Sequence, residues 1–396
     1  MKNIEVQKLF ADYSLHTYKR IGPVFTKGKG SWIWDSEGKK YLDLFPGWGV
    51  SILGHCHPRI VKVITAQVQK LIHLPNNLYQ EEQALLAKEI STNSFPSKVF
   101  FANSGAEAIE GAIKLSRLYG KKEGRFEVIT MKNSFHGRTF GAMSATGQAK
   151  YKDPFKPILP EFKEAIFNDF EDFKRQVNEK TVAVMLELIQ GEGGINIAAK
   201  DYIKKLREFC DEHDLLFIAD EVQTGMARTT KLYCYQNYDI TPDAMVLSKG
   251  LGAGVPISAL VVNKEIADLF APGMHASTFG GSPFVSKVSL DVFKIIKEEK
   301  ILENTKKMGD YLLSRLKGLK DKFSFTKEAR GMGLMAALEL NCDSYPIFLK
   351  ALEKGLIINS THVTVLRIMP ALNITKNELD KGLDILEDIL NDFKGA

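Results

Sequence analysis

Three short stretches of this 396-residue chain combine residue types that could carry chemistry. In Ala244-Met245-Val246-Leu247-Ser248-Lys249-Gly250 a lysine closes an apolar run and a glycine-rich turn follows it. Most lysines are solvated surface groups. One at the end of a buried strand loses charge by desolvation, and its amine becomes nucleophilic toward a carbonyl. In Leu215-Leu216-Phe217-Ile218-Ala219-Asp220-Glu221-Val222-Gln223 an apolar run stops abruptly in two carboxylates and an amide, a pattern that serves either a turn or a functional site. The third stretch, Asn103-Ser104-Gly105-Ala106-Glu107-Ala108, follows Val99-Phe100-Phe101 and opens a helical pattern that ends at Gly120. Small residues at a strand-to-helix turn let backbone amides approach an anion, and the helix N-terminus adds a positive dipole end. Ser-Gly before a helix is, taken singly, more often only an N-cap.

The elements that would hold these residues are legible as alternating patterns. Apolar, β-branched runs at 126–130, 181–189, 215–219 and 244–247 alternate with amphipathic helices, among them 200–213 with Tyr202, Ile203, Leu206, Phe209 and Cys210 on one face. Strand, helix, strand in this order predicts an α/β fold with a largely parallel sheet under helices. Ligands of such sheets sit beyond the carboxyl ends of the strands, where all three stretches fall. The C-terminal part changes character, with helical patterns at 284–318 and 376–392 around strand-like pieces at 334–340 and 364–369. It predicts a smaller α+β domain from about residue 275, and 31–44 reads as a hairpin turning at Ser36-Glu37-Gly38. The resulting division is an N-terminal arm (1–50) packing with the small domain, a large domain (51–274) and a small C-terminal domain (275–396).

Composition narrows the function classes. A hydrophobic content of 44% with 26% charged residues suits a globular chain with a substantial core. No apolar run reaches the length of a membrane span, and the charged start does not read as a signal peptide. The four cysteines are scattered without a C-x-x-C pair, so neither a disulfide framework nor a metal site is expected, and a cytoplasmic location follows. A net charge of +5 without a basic block argues against nucleic-acid binding.

The order of the motifs is more specific than any one of them. A glycine turn, then Asp220, then Lys249 one strand later, resembles the fold-type-I pyridoxal-phosphate transferases, whose large domain holds a mostly parallel seven-stranded sheet. More closely the chain resembles the class III (ω-) aminotransferases, and among them the acetylornithine branch, from about Tyr18 to the last helix. Leu53-Gly54-His55-Cys56-His57-Pro58, Asn133-Ser134-Phe135-His136-Gly137-Arg138-Thr139, Gln190-Gly191-Glu192-Gly193-Gly194 and Ser277-Thr278-Phe279-Gly280-Gly281 carry the rest of the likeness.

The resemblance implies roles. Lys249 would bind pyridoxal 5'-phosphate covalently and then move a proton, while Asp220 would pair with the ring nitrogen. Gln223 would bond the phenolic oxygen, Val222 and Phe135 would pack on the two ring faces, and Glu221 would complete the cofactor contacts. Gly105 and Ala106 would offer amides to the phosphate, joined by Thr278 of a neighbouring subunit, which implies a homodimer with shared active sites. Arg138 would hold the carboxylate of the ω-amino donor, and Arg367 that of 2-oxoglutarate, with Glu192 as a gate on Arg367. Ser277 and Tyr18 would lie on the substrate side. The implied reaction moves the δ-amino group of an acylated ornithine to 2-oxoglutarate. Succinyldiaminopimelate, ornithine and 4-aminobutyrate are rival donors, and a glutamate-1-semialdehyde-type aminomutase is a rival reaction. Trp48 stands at a pocket position that bears on the choice of donor.

Overall fold

The computed structural model describes residues 1 and 3–393. Lys2 of the charged start and residues 394–396 of the C-terminal segment lie outside that description. The chain begins with a helix, Asn3–Tyr13, and a meander of three strands, β1 (Phe25–Lys29), β2 (Trp32–Asp35) and β3 (Lys40–Asp43). The turn between β2 and β3 falls where Ser36-Glu37-Gly38 placed it, with Gly38 at φ 87°.

A seven-stranded sheet follows: β4 (Ser97–Ala102), β5 (Glu127–Met131), β6 (Phe162–Ala165), β7 (Thr181–Glu187), β10 (Leu216–Asp220), β11 (Ala244–Leu247) and β12 (Ser258–Asn263). Between β7 and β10 the short β8 (Ile189–Gln190) and β9 (Asn196–Ile197) form a separate pair. The spatial order is β4-β12-β11-β10-β7-β5-β6. Only β12 runs against its neighbours β11 and β4. Every residue of β7, β10 and β11 is buried, as expected for strands covered on both faces. The apolar run expected to extend to residue 189 instead breaks at Leu188, so that Glu187 ends a strand beside Asp220 in the register.

The C-terminal region contributes β13 (Thr326–Met332), β14 (Met335–Leu340), β15 (Leu356–Ile357), β16 (Asn359–Thr361) and β17 (Val365–Ile368). Four of them form an antiparallel sheet in the order β13-β14-β17-β16, while β15 pairs in parallel with β3 of the N-terminal meander. The helical pattern over 284–318 resolves into two helices, Pro283–Glu298 and Ile301–Lys322. Lys300 between them adopts φ 52°, a left-handed conformation that stops a right-handed helix. The first of the two packs on helices Pro58–Lys70 and Glu81–Asn93. Among the described residues no helix is long and apolar enough to cross a membrane.

Candidate active site

The carboxyl ends of β10, β11, β7 and β4 open into one cleft of about 490 Å³. Its floor is Asp220, the last residue of β10, buried at 3% exposure. One carboxylate oxygen accepts the Val222 backbone N–H at 3.0 Å, and the other meets His136 Nδ1 at 2.7 Å. His136 is itself buried. Burial alone pushes its pKa down, but the hydrogen bond to Asp220 and the charges of Asp220 and Glu187 outweigh that and raise it. The pair is therefore a close, fully buried contact between an imidazole and a carboxylate. Glu187 completes the floor, its two oxygens accepting the backbone N–H groups of Phe135 and Gly191, each at 2.9 Å. Desolvation, then repulsion from Asp220, raises its pKa despite His136 and the two amides.

Lys249 enters from the adjacent strand end, half-buried, with φ 38°. Desolvation lowers its pKa; Glu192, Asp220 and Glu187 oppose this and Arg367 adds to it. Arg367, in β17, is fully buried on the same side. Its Nε donates to Asn359 Oδ1 at 3.0 Å, one terminal nitrogen donates to the Gly191 carbonyl at 2.8 Å and to Gln223 Oε1 at 3.4 Å, and the other lies 2.8 Å from Glu192 Oε1. That last contact is a charge pair without the alignment of a hydrogen bond. The guanidinium also rests 4.7 Å from the Phe45 ring. Burial works against ionisation of Glu192, yet the charges of Arg367 and Lys249 hold its pKa below the usual range.

At the other end of the cleft lies the N-terminus of helix Gly105–Tyr119. Ser104 caps it by accepting the Glu107 N–H at 3.3 Å, and the Glu107 carboxylate returns to the Asn103 N–H at 2.8 Å. A Cβ on Gly105 would lie 3.0 Å from both methyls of Val222, so glycine is needed to bring the amides and the valine together. Val222 and Phe135 both line the cleft. Arg138, exposed at the rim, stacks 4.0 Å from the Tyr151 ring.

Of the residues singled out in the sequence, Gly105, Ala106, Phe135, Arg138, Glu192, Asp220, Val222, Gln223 and Lys249 meet here, with Arg367 directly behind Glu192. Ser277 stands beside the rim, its hydroxyl 3.4 Å from the Asn103 side chain. Thr278 is exposed and lines no part of this cleft, and Tyr18, 65% exposed, faces the N-terminal helix instead. Glu221 corrects the expectation of a cofactor contact. Its carboxylate turns away into the core, accepting the Thr224 hydroxyl at 2.5 Å and the Tyr235 N–H at 2.7 Å. His136 and Glu187 were missed as site residues, although both stood in or next to recognised motifs. An acid closing a buried apolar run was the available signal for Glu187.

Burial raises the Glu221 pKa to about 7. The folded state thus keeps a proton that the unfolded chain releases near the ordinary carboxylate value. Its stabilising effect is full below that value and is lost as pH rises through about 7. Glu221→Gln is neutral throughout, so wild-type stability should fall against it by about 3 kcal/mol between pH 5 and 8. Thermal melts that stay parallel across this range would remove the claim.

The chain matches the model of the aminotransferase class-III family over residues 13–390. It is 50% identical over 386 residues to an acetylornithine aminotransferase of Caldanaerobacter subterraneus, covering 96% of this chain and 98% of that one. It is 44% identical to an acetylornithine aminotransferase of Aquifex aeolicus, over 96% of this chain and all of that one. An ornithine aminotransferase structure from Toxoplasma gondii superposes with a TM-score of 0.95 at 29% identity, covering 99% and 96% of the two chains. An acetylornithine aminotransferase structure from Elizabethkingia anophelis gives 0.88 at 30% identity over 99% and 100%.

Proposed function

This chain belongs to the class III aminotransferases, which are pyridoxal-phosphate enzymes, and from that premise we propose that it moves the δ-amino group of N2-acetyl-L-ornithine to 2-oxoglutarate. The products are N-acetylglutamate semialdehyde and glutamate, and the place of the reaction is arginine biosynthesis. The observation that carries this reading is a desolvated lysine facing a buried arginine whose charge a carboxylate can cover or release. One pocket can then present two different charges to two substrates in turn.

The residues present fit the cofactor. An anion at the N-terminus of helix Gly105–Tyr119 would receive the amides of Gly105 and Ala106. A ring between Val222 and Phe135 would place its nitrogen toward Asp220, with Gln223 toward the phenolic oxygen. Pyridoxal phosphate, when bound, supplies the carbonyl that takes up the amine and a ring that accepts the electron pair left on carbon. Lys249 would hold it covalently at rest. Its lowered pKa leaves the freed amine ready to take a proton from the carbon bearing the nitrogen and return it one position away. The His136 ring holds the Asp220 carboxylate in place through its 2.7 Å contact. Arg138 holds the distant carboxylate of the amine donor at the rim while Glu192 covers Arg367. When 2-oxoglutarate enters, the Glu192 side chain leaves and Arg367 takes the α-carboxylate in a two-pronged contact.

Thr278 and Tyr18, both exposed, are assigned to the site of a partner subunit in a cytoplasmic homodimer, with Ser277 on the substrate side. The pairing of β3 with β15 supports an arm (1–50) that packs with a small domain (275–396) beside the large one (51–274). The Arg367–Glu192 pair favours a transaminase over an aminomutase, which has no second dicarboxylate to bind. A panel of amine donors with 2-oxoglutarate as acceptor tests the assignment; a preference for free ornithine or 4-aminobutyrate over the acetylated donor would replace it. Arg367→Ala should cut the 2-oxoglutarate half-reaction about a hundredfold and the amine half far less. Equal losses in the two halves, followed separately by single-turnover kinetics, would reject the gate.

A further inference from the structure

Strand β16 is three residues long and lies at the edge of the small antiparallel sheet. Alternation along a strand puts Asn359 and Thr361 on one face and Ser360 on the other, where its hydroxyl meets that of Ser344 at 2.7 Å. Asn359 stands directly opposite Arg367 in the register and accepts its Nε–H at 3.0 Å. Thr361 Oγ1 donates to the backbone carbonyl of Glu192 at 3.1 Å. One face of one short strand therefore touches both members of the ion pair. It meets Arg367 at its side chain and Glu192 at its backbone.

The rest of the Glu192 loop is pinned as well. The Gly191 N–H donates to Glu187 and its carbonyl accepts from Arg367. On the far side, Arg330 donates to the Gly194 carbonyl at 2.6 Å and to the Ile195 carbonyl at 3.1 Å. The backbone is held before, at and after Glu192, which leaves its partly exposed side chain as the part that can turn.

We propose that Asn359 and Thr361 are positioning residues that frame this gate, one fixing the Arg367 guanidinium and the other the Glu192 backbone. Asn359 keeps the Arg367 guanidinium oriented once Glu192 has turned away, and an incoming dicarboxylate meets a fork already in place. Thr361 keeps Glu192 at the right distance to cover Arg367 while the amine donor is bound. A planar fork recognises a carboxylate only in a fixed orientation, so loss of the Asn359 contact should be felt by the dicarboxylate above all. The proposal rests on the gate function assigned above to Arg367 and Glu192.

The test uses holoenzyme variants Asn359→Leu and Thr361→Val, with the two half-reactions followed separately by stopped flow. Binding of glutarate, a non-reacting dicarboxylate, is measured by calorimetry. Asn359→Leu should lower glutarate affinity and kcat/KM of the 2-oxoglutarate half-reaction about tenfold, with a several-fold smaller effect on the amine half. Thr361→Val should show the opposite bias, with kcat/KM of the amine half reduced about threefold and glutarate affinity held. Unchanged glutarate affinity in Asn359→Leu, or equal losses in both halves for either variant, overturns the proposal. Asn359→Ala removes the same acceptor without added bulk and gives the same readout if the leucine variant does not fold. Arg367→Ala, run alongside, separates the two levels. Equal losses there sink the gate itself, whereas a split there with none in Asn359→Leu sinks only the frame.

Discussion

Lys249→Ala should lower turnover by more than about a thousandfold while the protein still folds and still binds pyridoxal phosphate, now without a covalent link. The expected loss is large because the proposed mechanism gives one amine two duties, holding the cofactor at rest and carrying the proton during the exchange. The fold is spared because the left-handed backbone at position 249, φ 38°, is no more costly for alanine than for lysine. Cofactor binding should persist because the other contacts proposed for it lie elsewhere in the cleft, at the Gly105–Ala106 helix end, on Val222 and Phe135, and at Asp220. Borohydride should bleach the yellow wild-type protein with retention of label at Lys249, and label nothing in the variant. Residual turnover above a tenth of wild type would remove Lys249 from its role.

Asp220→Asn should cost about 10²- to 10³-fold in turnover with little change in melting temperature. The amide keeps the size of the carboxylate and can still accept from the Val222 N–H. What it loses is the charge that keeps a ring nitrogen protonated. The consequence extends to His136, whose raised pKa depends on Asp220 against the opposing pull of burial. Without that anion the His136 pKa moves down, in the direction that burial favours. A spectral titration of bound cofactor should therefore differ from wild type, and a near-wild-type rate would dismiss Asp220 as the partner of the ring.

The central strands β5, β7, β10 and β11, the helix opened by Ser104 and the hairpin at Ser36-Glu37-Gly38 were legible from patterning, while the count of seven strands came from the family resemblance. Buried strands read as apolar runs, and caps and turns are local. The break at Lys300 was not, because a single left-handed residue inside a continuous amphipathic pattern leaves no mark in periodicity. Glu221 was misplaced for a reason of parity. Neighbours at a strand end point to opposite sides, so Asp220 faces the cleft and Glu221 the core. Residue types at two strand ends suggested a reactive amine at Lys249 and an acid at Asp220, and the family resemblance supplied the cofactor roles expected of them.

The sequence alone thus determined the class of chemistry, because acid, amine and glycine turn each sit at the carboxyl end of a strand whose pattern is local. Only the tertiary structure decided which charges meet. Asp220 with His136 spans 84 positions, and Arg367 reaches the Gly191 carbonyl across 176. Such pairs are set by how separate strands pack, and packing between distant elements is not written into the periodicity of either one.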